Sequence, residues 1–86
     1  MELLYSRQAA KALRSMQPKA AAAVMAALER IAADPFARHG NVERLKGEKD
    51  AFRLRHGDWR VPYRLDRRTA TMQVAAVKTR GEVYKR

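Results

Sequence analysis

Four arginines are spaced so that they could act together on one anionic substrate: Arg53, Arg55, Arg60 and Arg64. Each carries a planar, permanently charged fork of donors that matches phosphate oxygens two at a time. Side chains alternate along a strand, so Arg53 and Arg55 share one face of an extended segment and Arg60 and Arg64 share one face of the next. His56-Gly57-Asp58 supplies turn chemistry between the two segments. The resulting hairpin places all four guanidiniums opposite Phe52, Leu54, Trp59, Val61, Tyr63 and Leu65. A sheet face left in water also needs polar residues, but such faces usually mix signs. Phe52–Leu65 instead holds four arginines and one aspartate, Asp58, which falls in the turn.

The elements that must position these residues can be read from period and punctuation. Glu2–Tyr5 is a short apolar strand that runs into Ser6, whose hydroxyl can cap the free amides of a following helix. That helix spans about Arg7 to Met16, with Ala9, Ala10, Leu13 and Met16 at helical spacing. Pro18 suits the first turn of a second helix, and the alanine-rich run continues it to Ala33 with Val24, Leu28 and Ile31 as its core stripe. Asp34-Pro35 stops it, because the residue before proline is pushed out of helical geometry. After a loop at Gly40-Asn41 the period changes to two. The two strands described above follow, then a turn at Asp66–Thr69 and a third strand over about Ala70–Lys78, in which Met72, Val74 and Ala76 share a face. The charges Lys46, Glu48, Lys49 and Asp50 read as a solvated loop. The fold class is α+β: a short N-terminal strand and a helical hairpin packed on one face of an antiparallel β-meander.

Bulk properties bound the partners. An 86-residue chain holds a single domain over 1–86, because neither half could bury its apolar stripe alone. With 19 Lys+Arg against 9 Asp+Glu the formal charge is +10, which draws in polyanions. Nucleic acid and an acidic protein are the natural partners. A membrane is not expected, since no stretch approaches the roughly 20 apolar residues of a spanning helix. MELLYSRQ lacks the basic-then-apolar order of a signal peptide, so a soluble, cytoplasmic protein is expected. There is no cysteine, and His39 and His56 are isolated, so neither a structural zinc site nor any cofactor is expected. Both histidines fall in loop or turn sequence and read as solvated.

Leu45-Lys46-Gly47, Phe52-Arg53-Leu54-Arg55, Gly57-Asp58-Trp59-Arg60-Val61 and Tyr63-Arg64-Leu65-Asp66 together resemble the central signature of the RelE/ParE superfamily of toxins. Val77-Lys78-Thr79-Arg80-Gly81-Glu82-Val83-Tyr84 is similar to that family's closing motif. The resemblance implies the RelE-like microbial RNase fold, in agreement with the elements above. It also implies a toxin of a type II toxin–antitoxin system, held inactive by a cognate acidic antitoxin. In the RelE branch such toxins cut mRNA on the ribosome, without a metal, by driving the ribose 2′-hydroxyl onto the adjacent phosphate. Carried over by position, Arg53 and Arg55 stand where the family often has catalytic lysines. Arg60 and Arg80 stand where it has phosphate-stabilising arginines, and Tyr84 stands on its functional tyrosine. Arg64 and Lys78 add substrate-binding charge. Fixed guanidiniums suit this chemistry, because in-line attack builds negative charge on phosphate oxygens.

Three departures from the family pattern bear on mechanism. Arginine does not deprotonate, so Arg53 and Arg55 cannot act as general base, which leaves Lys78 and a Tyr84 acidified by nearby cations as candidates. Pro62 interrupts the central strand, where a bulge or an unmatched carbonyl is expected. The sequence ends two residues after Tyr84, and no C-terminal helix is expected to hold it. Three functions stay open: a RelE-type endoribonuclease, a ParE-like non-enzymatic inhibitor of DNA gyrase, and a plain basic nucleic-acid-binding module. All three predict salt-sensitive binding to polyanions, so cleavage rather than binding separates them.

Overall fold

The computed structural model describes residues 1–84, with side chains through Glu82. In chain order the elements are β1 (Glu2–Tyr5), α1 (Arg7–Ser15), α2 (Pro18–Ala33), β2 (Val42–Arg44), β3 (Ala51–His56), β4 (Trp59–Asp66), β5 (Thr71–Val74), β6 (Lys78–Thr79) and α3 (Arg80–Tyr84). The Ser6 hydroxyl accepts from the Ala9 amide at 3.0 Å and donates to the Ala75 carbonyl at 2.6 Å. One side chain thus starts α1 and ties it to the far end of the sheet. Pro18 opens α2, where its missing N–H leaves no bond unmade.

The sheet runs β1-β5-β4-β3-β2, and β6 pairs with β4 beyond the end of β5. β3, β4 and β5 form the expected antiparallel meander. β1 adds to its edge in parallel, from Glu2 opposite Thr71 to Tyr5 opposite Val74. Three elements were not anticipated: β2, the separate β6 and the short α3. The strand expected over Ala70–Lys78 is broken at residues 75–77 and resumes as β6. α1 and α2 cover one face of the sheet. Between the layers lie Ala9, Leu13, Val24, Leu28 and Ile31 from the helices, and Leu54, Val61, Tyr63, Leu65, Met72 and Val74 from the strands. Leu28 and Met72 are fully buried. Trp59 is only half-buried and packs at the margin of this core. Phe52 stacks on Tyr63, directly opposite it, with ring centroids 5.5 Å apart.

Pro62 causes no bulge. It stands in regular register opposite Arg53, and its carbonyl accepts from the Ala75 amide at 2.9 Å. A strand residue directs its N–H and C=O to the same side, so the missing N–H of Pro62 faces the break at 75–77, where no ladder runs.

Asp50 departs from the expected solvated loop. It is 7% exposed, adopts φ +55°, and receives two hydrogen bonds from Arg67, at 2.8 and 3.1 Å. Arg67 in turn lies 4.2 Å from the Phe36 ring centroid. This cluster joins the segment after α2, the entry to β3 and the β4–β5 turn. The Arg67 hydrogen bond holds the Asp50 carboxyl below the usual carboxylate range, against the opposing effect of burial. Burial also pushes the Tyr63 hydroxyl up to about 12.

Leu28→Ala should destabilise the fold by about 2–5 kcal/mol, because it leaves a cavity between the layers. A urea unfolding midpoint unchanged from wild type would contradict this packing. Stability should also fall at both pH extremes. The Asp50 contribution is present above the carboxyl's unfolded value and is lost as pH falls through its lower folded value, so Asp50→Asn flattens the acid limb. The Tyr63 contribution is present below the unfolded value of about 10 and declines as pH rises toward the folded value. Tyr63→Phe therefore flattens the alkaline limb, and denaturant titrations across pH measure both effects.

Candidate nucleic-acid interface

The register of β3, β4 and β6 decides which charges meet. Arg55 stands opposite Arg60, and Arg60 stands opposite Lys78 across its other edge. Three cations therefore lie in one line across three strands, on the face away from the helices. Like charges in direct opposition repel. Arg60 avoids part of this repulsion by folding back. Its Nη1 donates to the Gly57 carbonyl at 2.7 Å and to the Trp59 carbonyl at 2.8 Å, and the residue is 7% exposed. Arg60, which stands where the family has a phosphate-stabilising arginine, thus holds the hairpin turn through Nη1.

The other outward arginines differ in their surroundings. Arg55 is exposed. Arg53 Nε donates to Glu43 Oε1 at 2.8 Å, and its Nη2 bonds the same oxygen. Arg64 pairs with Glu48 at 2.6 Å in an exposed contact. A groove of 420 Å³ opens on this face, lined by Leu45, Arg53, Pro62, Ala75, Ala76, Lys78 and Glu82. It presents a guanidinium and an ammonium to one ligand.

The C-terminal motif is fixed beside this groove. Glu82 Oε1 accepts from the Thr79 amide at 2.8 Å while Thr79 Oγ1 accepts from the Glu82 amide at 3.3 Å. This reciprocal capping box starts α3. The Arg80 amide donates to the Asp58 carbonyl at 2.7 Å, which anchors the same point to the β3–β4 turn. Arg80 is exposed, and Tyr84 closes α3, its side chain outside the described residues. No C-terminal helix was expected to hold Tyr84, and the residue instead forms the last position of a short helix of its own. Thr79-x-x-Glu82 was the available signal.

The two histidines lie elsewhere. His39 and His56 border a 210 Å³ pocket with Arg30, Asn41 and Leu54, reached from the side of α2. His56 ends β3 rather than lying in the turn, and it stands opposite Trp59 on the face of the core. His39 Nε2 donates to the Asp34 carbonyl at 2.8 Å. Among the described residues no three His, Cys, Asp or Glu side chains gather as metal ligands, and no helix is long and apolar enough to cross a membrane. The acceptors Glu43, Glu48 and Glu82 on the basic face were not foreseen. Glu43 had no visible signal, because the three residues of β2 are too few to show a period.

A helical hairpin on one face of a mainly antiparallel sheet, with cations concentrated on the other, defines a RelE-like fold. The family model of the ParE toxin of type II toxin–antitoxin systems, parDE, matches residues 3–84. The chain belongs to this family of toxins, within the RelE/ParE superfamily. The archaeal RelE–RelB complex from Pyrococcus horikoshii OT3 is similar at 25% identity and a TM-score of 0.79, covering 93% of this chain and 94% of that one. A RelBE toxin–antitoxin complex from Mycobacterium tuberculosis is similar at 24% identity and a TM-score of 0.73, covering 91% and 95%. The YoeB/ParE toxin from Agrobacterium tumefaciens is similar at 18% identity and a TM-score of 0.75, covering 92% and 98%. No curated protein matches the sequence.

Arg60→Ala should cost about 1–3 kcal/mol of stability by leaving the Gly57 and Trp59 carbonyls without this donor. Arg55→Ala, at an exposed position, should stay within about 0.5 kcal/mol of wild type. Urea unfolding of the two variants side by side checks the distinction, and equal stability would remove the anchoring role given to Arg60.

Proposed function

We propose that this toxin is a ribosome-dependent, metal-independent endoribonuclease that inhibits translation by cleaving mRNA. The observation that carries this reading is the line Arg55–Arg60–Lys78 beside a groove that also presents Arg53. A phosphodiester seated there would meet positive charge from three strands, aligned before the reaction begins. In this reading Arg53, Arg55 and Arg80 stabilise the phosphate as the 2′-hydroxyl attacks, and Arg64 binds flanking RNA. Arg60 acts chiefly by holding the turn from which Arg55 and Arg80 are presented. Lys78 and Tyr84 are the two candidates for the general base, because the arginines of this face do not release a proton.

The family and the RelE–RelB likeness support a cognate antitoxin as partner. An acidic chain would relieve repulsion among the cations and block phosphate access in the same step. The mainly apolar groove lined by Tyr5, Ala10, Leu13, Arg14, Ala21 and Met25, beside α1 and α2, offers the same chain a second foothold. The second reading is a ParE-like inhibitor of DNA gyrase. It is favoured by the family description and by arginine at positions 53 and 55, where a lysine could have shed a proton.

Induction in cells followed by mapping of mRNA 5′ ends separates the two. Codon-phased cuts are expected, whereas DNA damage without cuts would establish the gyrase reading in its place. Arg55→Ala and Arg80→Ala should each reduce cleavage on the order of 100-fold or more while leaving the fold intact. Full activity in both variants at equal expression would refute the site assignment.

A further inference from the structure

Two of the outward arginines already hold carboxylates of the same chain. Glu43 stands directly opposite Arg53 in the β2–β3 pair, so strand register sets their meeting. The arginine spends both Nε and Nη2 on one oxygen of that carboxylate. Glu48, on the loop that follows β2, accepts a single hydrogen bond from Arg64 Nη2. Both acids therefore come from one short stretch, residues 42–48, that borders the groove. We propose that Glu43 occupies at Arg53 the place of a substrate phosphate, and with Glu48 acts as a built-in competitor that restrains the face from non-specific RNA.

The physical case rests on what the pairs can and cannot hold. A carboxylate and a phosphodiester offer the same guanidinium the same kind of acceptor pair, so occupancy by one excludes the other. The Arg64–Glu48 pair leaves 53% and 52% of its two side chains exposed, and the Arg53–Glu43 pair 23% and 40%. Exposed ion pairs contribute little to stability, which covers Arg64–Glu48. Arg53–Glu43 is part-buried on the arginine side, but its carboxylate stays 40% exposed, so a phosphate delivered in good geometry can reach and replace either acid. A randomly encountered strand must displace the carboxylates with a less favourable fit. The device lowers affinity for RNA in general more than for RNA positioned over the groove, which is a gain in specificity. Arg55 has no such carboxylate in its β-pair, where Arg60 faces it, so the competition falls on selected positions of the face.

This inference depends on the basic face being the phosphate-binding surface, and the experiment separates the two claims. Binding of a fluorescein-labelled single-stranded RNA of mixed sequence is followed by anisotropy over a range of KCl concentrations. Wild type is compared with Glu43→Gln, with Glu43→Gln/Glu48→Gln, and with Glu2→Gln/Glu29→Gln, which raises net charge by the same two units away from the groove. The expected result is binding on the order of tenfold tighter at low salt for the Glu43/Glu48 variant, with a slope of log affinity against log salt steeper by about 0.7 per arginine released. Glu43→Gln should show about half of that change in slope, and adding Arg53→Ala should cancel it. An equal gain in the Glu2/Glu29 control overturns the proposal in favour of net charge alone. Unchanged affinity and slope in the Glu43/Glu48 variant, with RNA still bound by wild type, overturns it as well. Failure of every protein to bind RNA at any salt rejects the phosphate-binding face itself. Glutamine keeps the size and acceptor of glutamate, and matching thermal melts of the variants exclude misfolding as the source of a difference.

Discussion

Leu54 and Val61 stand opposite each other across the β3–β4 pair, and that register decides which face of the sheet is apolar and which is charged. Side chains alternate with a period of two, so a slip by one residue would carry Arg60 and Arg64 toward the helices and push Val61, Tyr63 and Leu65 into water. Isolated cations buried without partners are far more costly than lost apolar contacts. The wrong register is therefore excluded from both sides. The arginine face is not added to a finished fold: its charges help to specify which way the central strands lie, while the helical hairpin supplies the apolar layer that rewards that choice.

Concentrating cations in this way creates a second constraint. Arg55, Arg60 and Lys78 meet in one cross-strand line, and the chain answers each local excess by a different means. Arg60 turns its guanidinium onto backbone carbonyls of the hairpin. Arg53 and Arg64 take glutamates from the neighbouring segment. Arg67, beyond the end of β4, takes the buried Asp50 and gains the Phe36 ring. Of the three ion pairs only Arg67–Asp50 has a carboxylate removed from water, and it joins three parts of the fold. The carboxylates of the two glutamate pairs stay partly open to water, with 40% of the Glu43 and 52% of the Glu48 side chain exposed.

The features legible in the sequence were those with local signatures. Ser6, Pro18 and Asp34-Pro35 mark the helix boundaries because capping and proline geometry act over a few residues. The alternation from Phe52 to Leu65 likewise shows the hairpin and its charged face. What was not legible depends on partners distant in sequence or on elements too short to carry a period. Asp50 read as solvent-exposed because its partner Arg67 is 17 residues away across a turn. β2 and β6 contain three and two residues, so alternation has no room to appear. The burial of Arg60 followed from neither its type nor its spacing, since arginine is rarely buried without a partner. Its partners are main-chain carbonyls, which sequence does not distinguish. For the site, the cationic residues were visible as a set, but the carboxylates beside them were not.

Pro62 shows how one apparent defect links fold and site. Its ring removes a donor on the side facing β5 and β6, and there the partner chain leaves the ladder at residues 75–77 before returning as β6. The one bond on that side that remains possible, from the Ala75 amide to the Pro62 carbonyl, is made. Because the partner strand is interrupted, the sheet has no continuous surface at that point. Pro62, Ala75 and Ala76 line the groove instead, with Arg53 on the neighbouring strand and Lys78 brought back opposite Arg60. A residue able to donate at position 62 would favour continuing the β5 ladder through the break. That continuation would draw the 75–77 segment against β4 and narrow the groove. The proline that would ordinarily argue against a central strand is here tolerated by a break in its neighbour, and the same break makes the space between the cations.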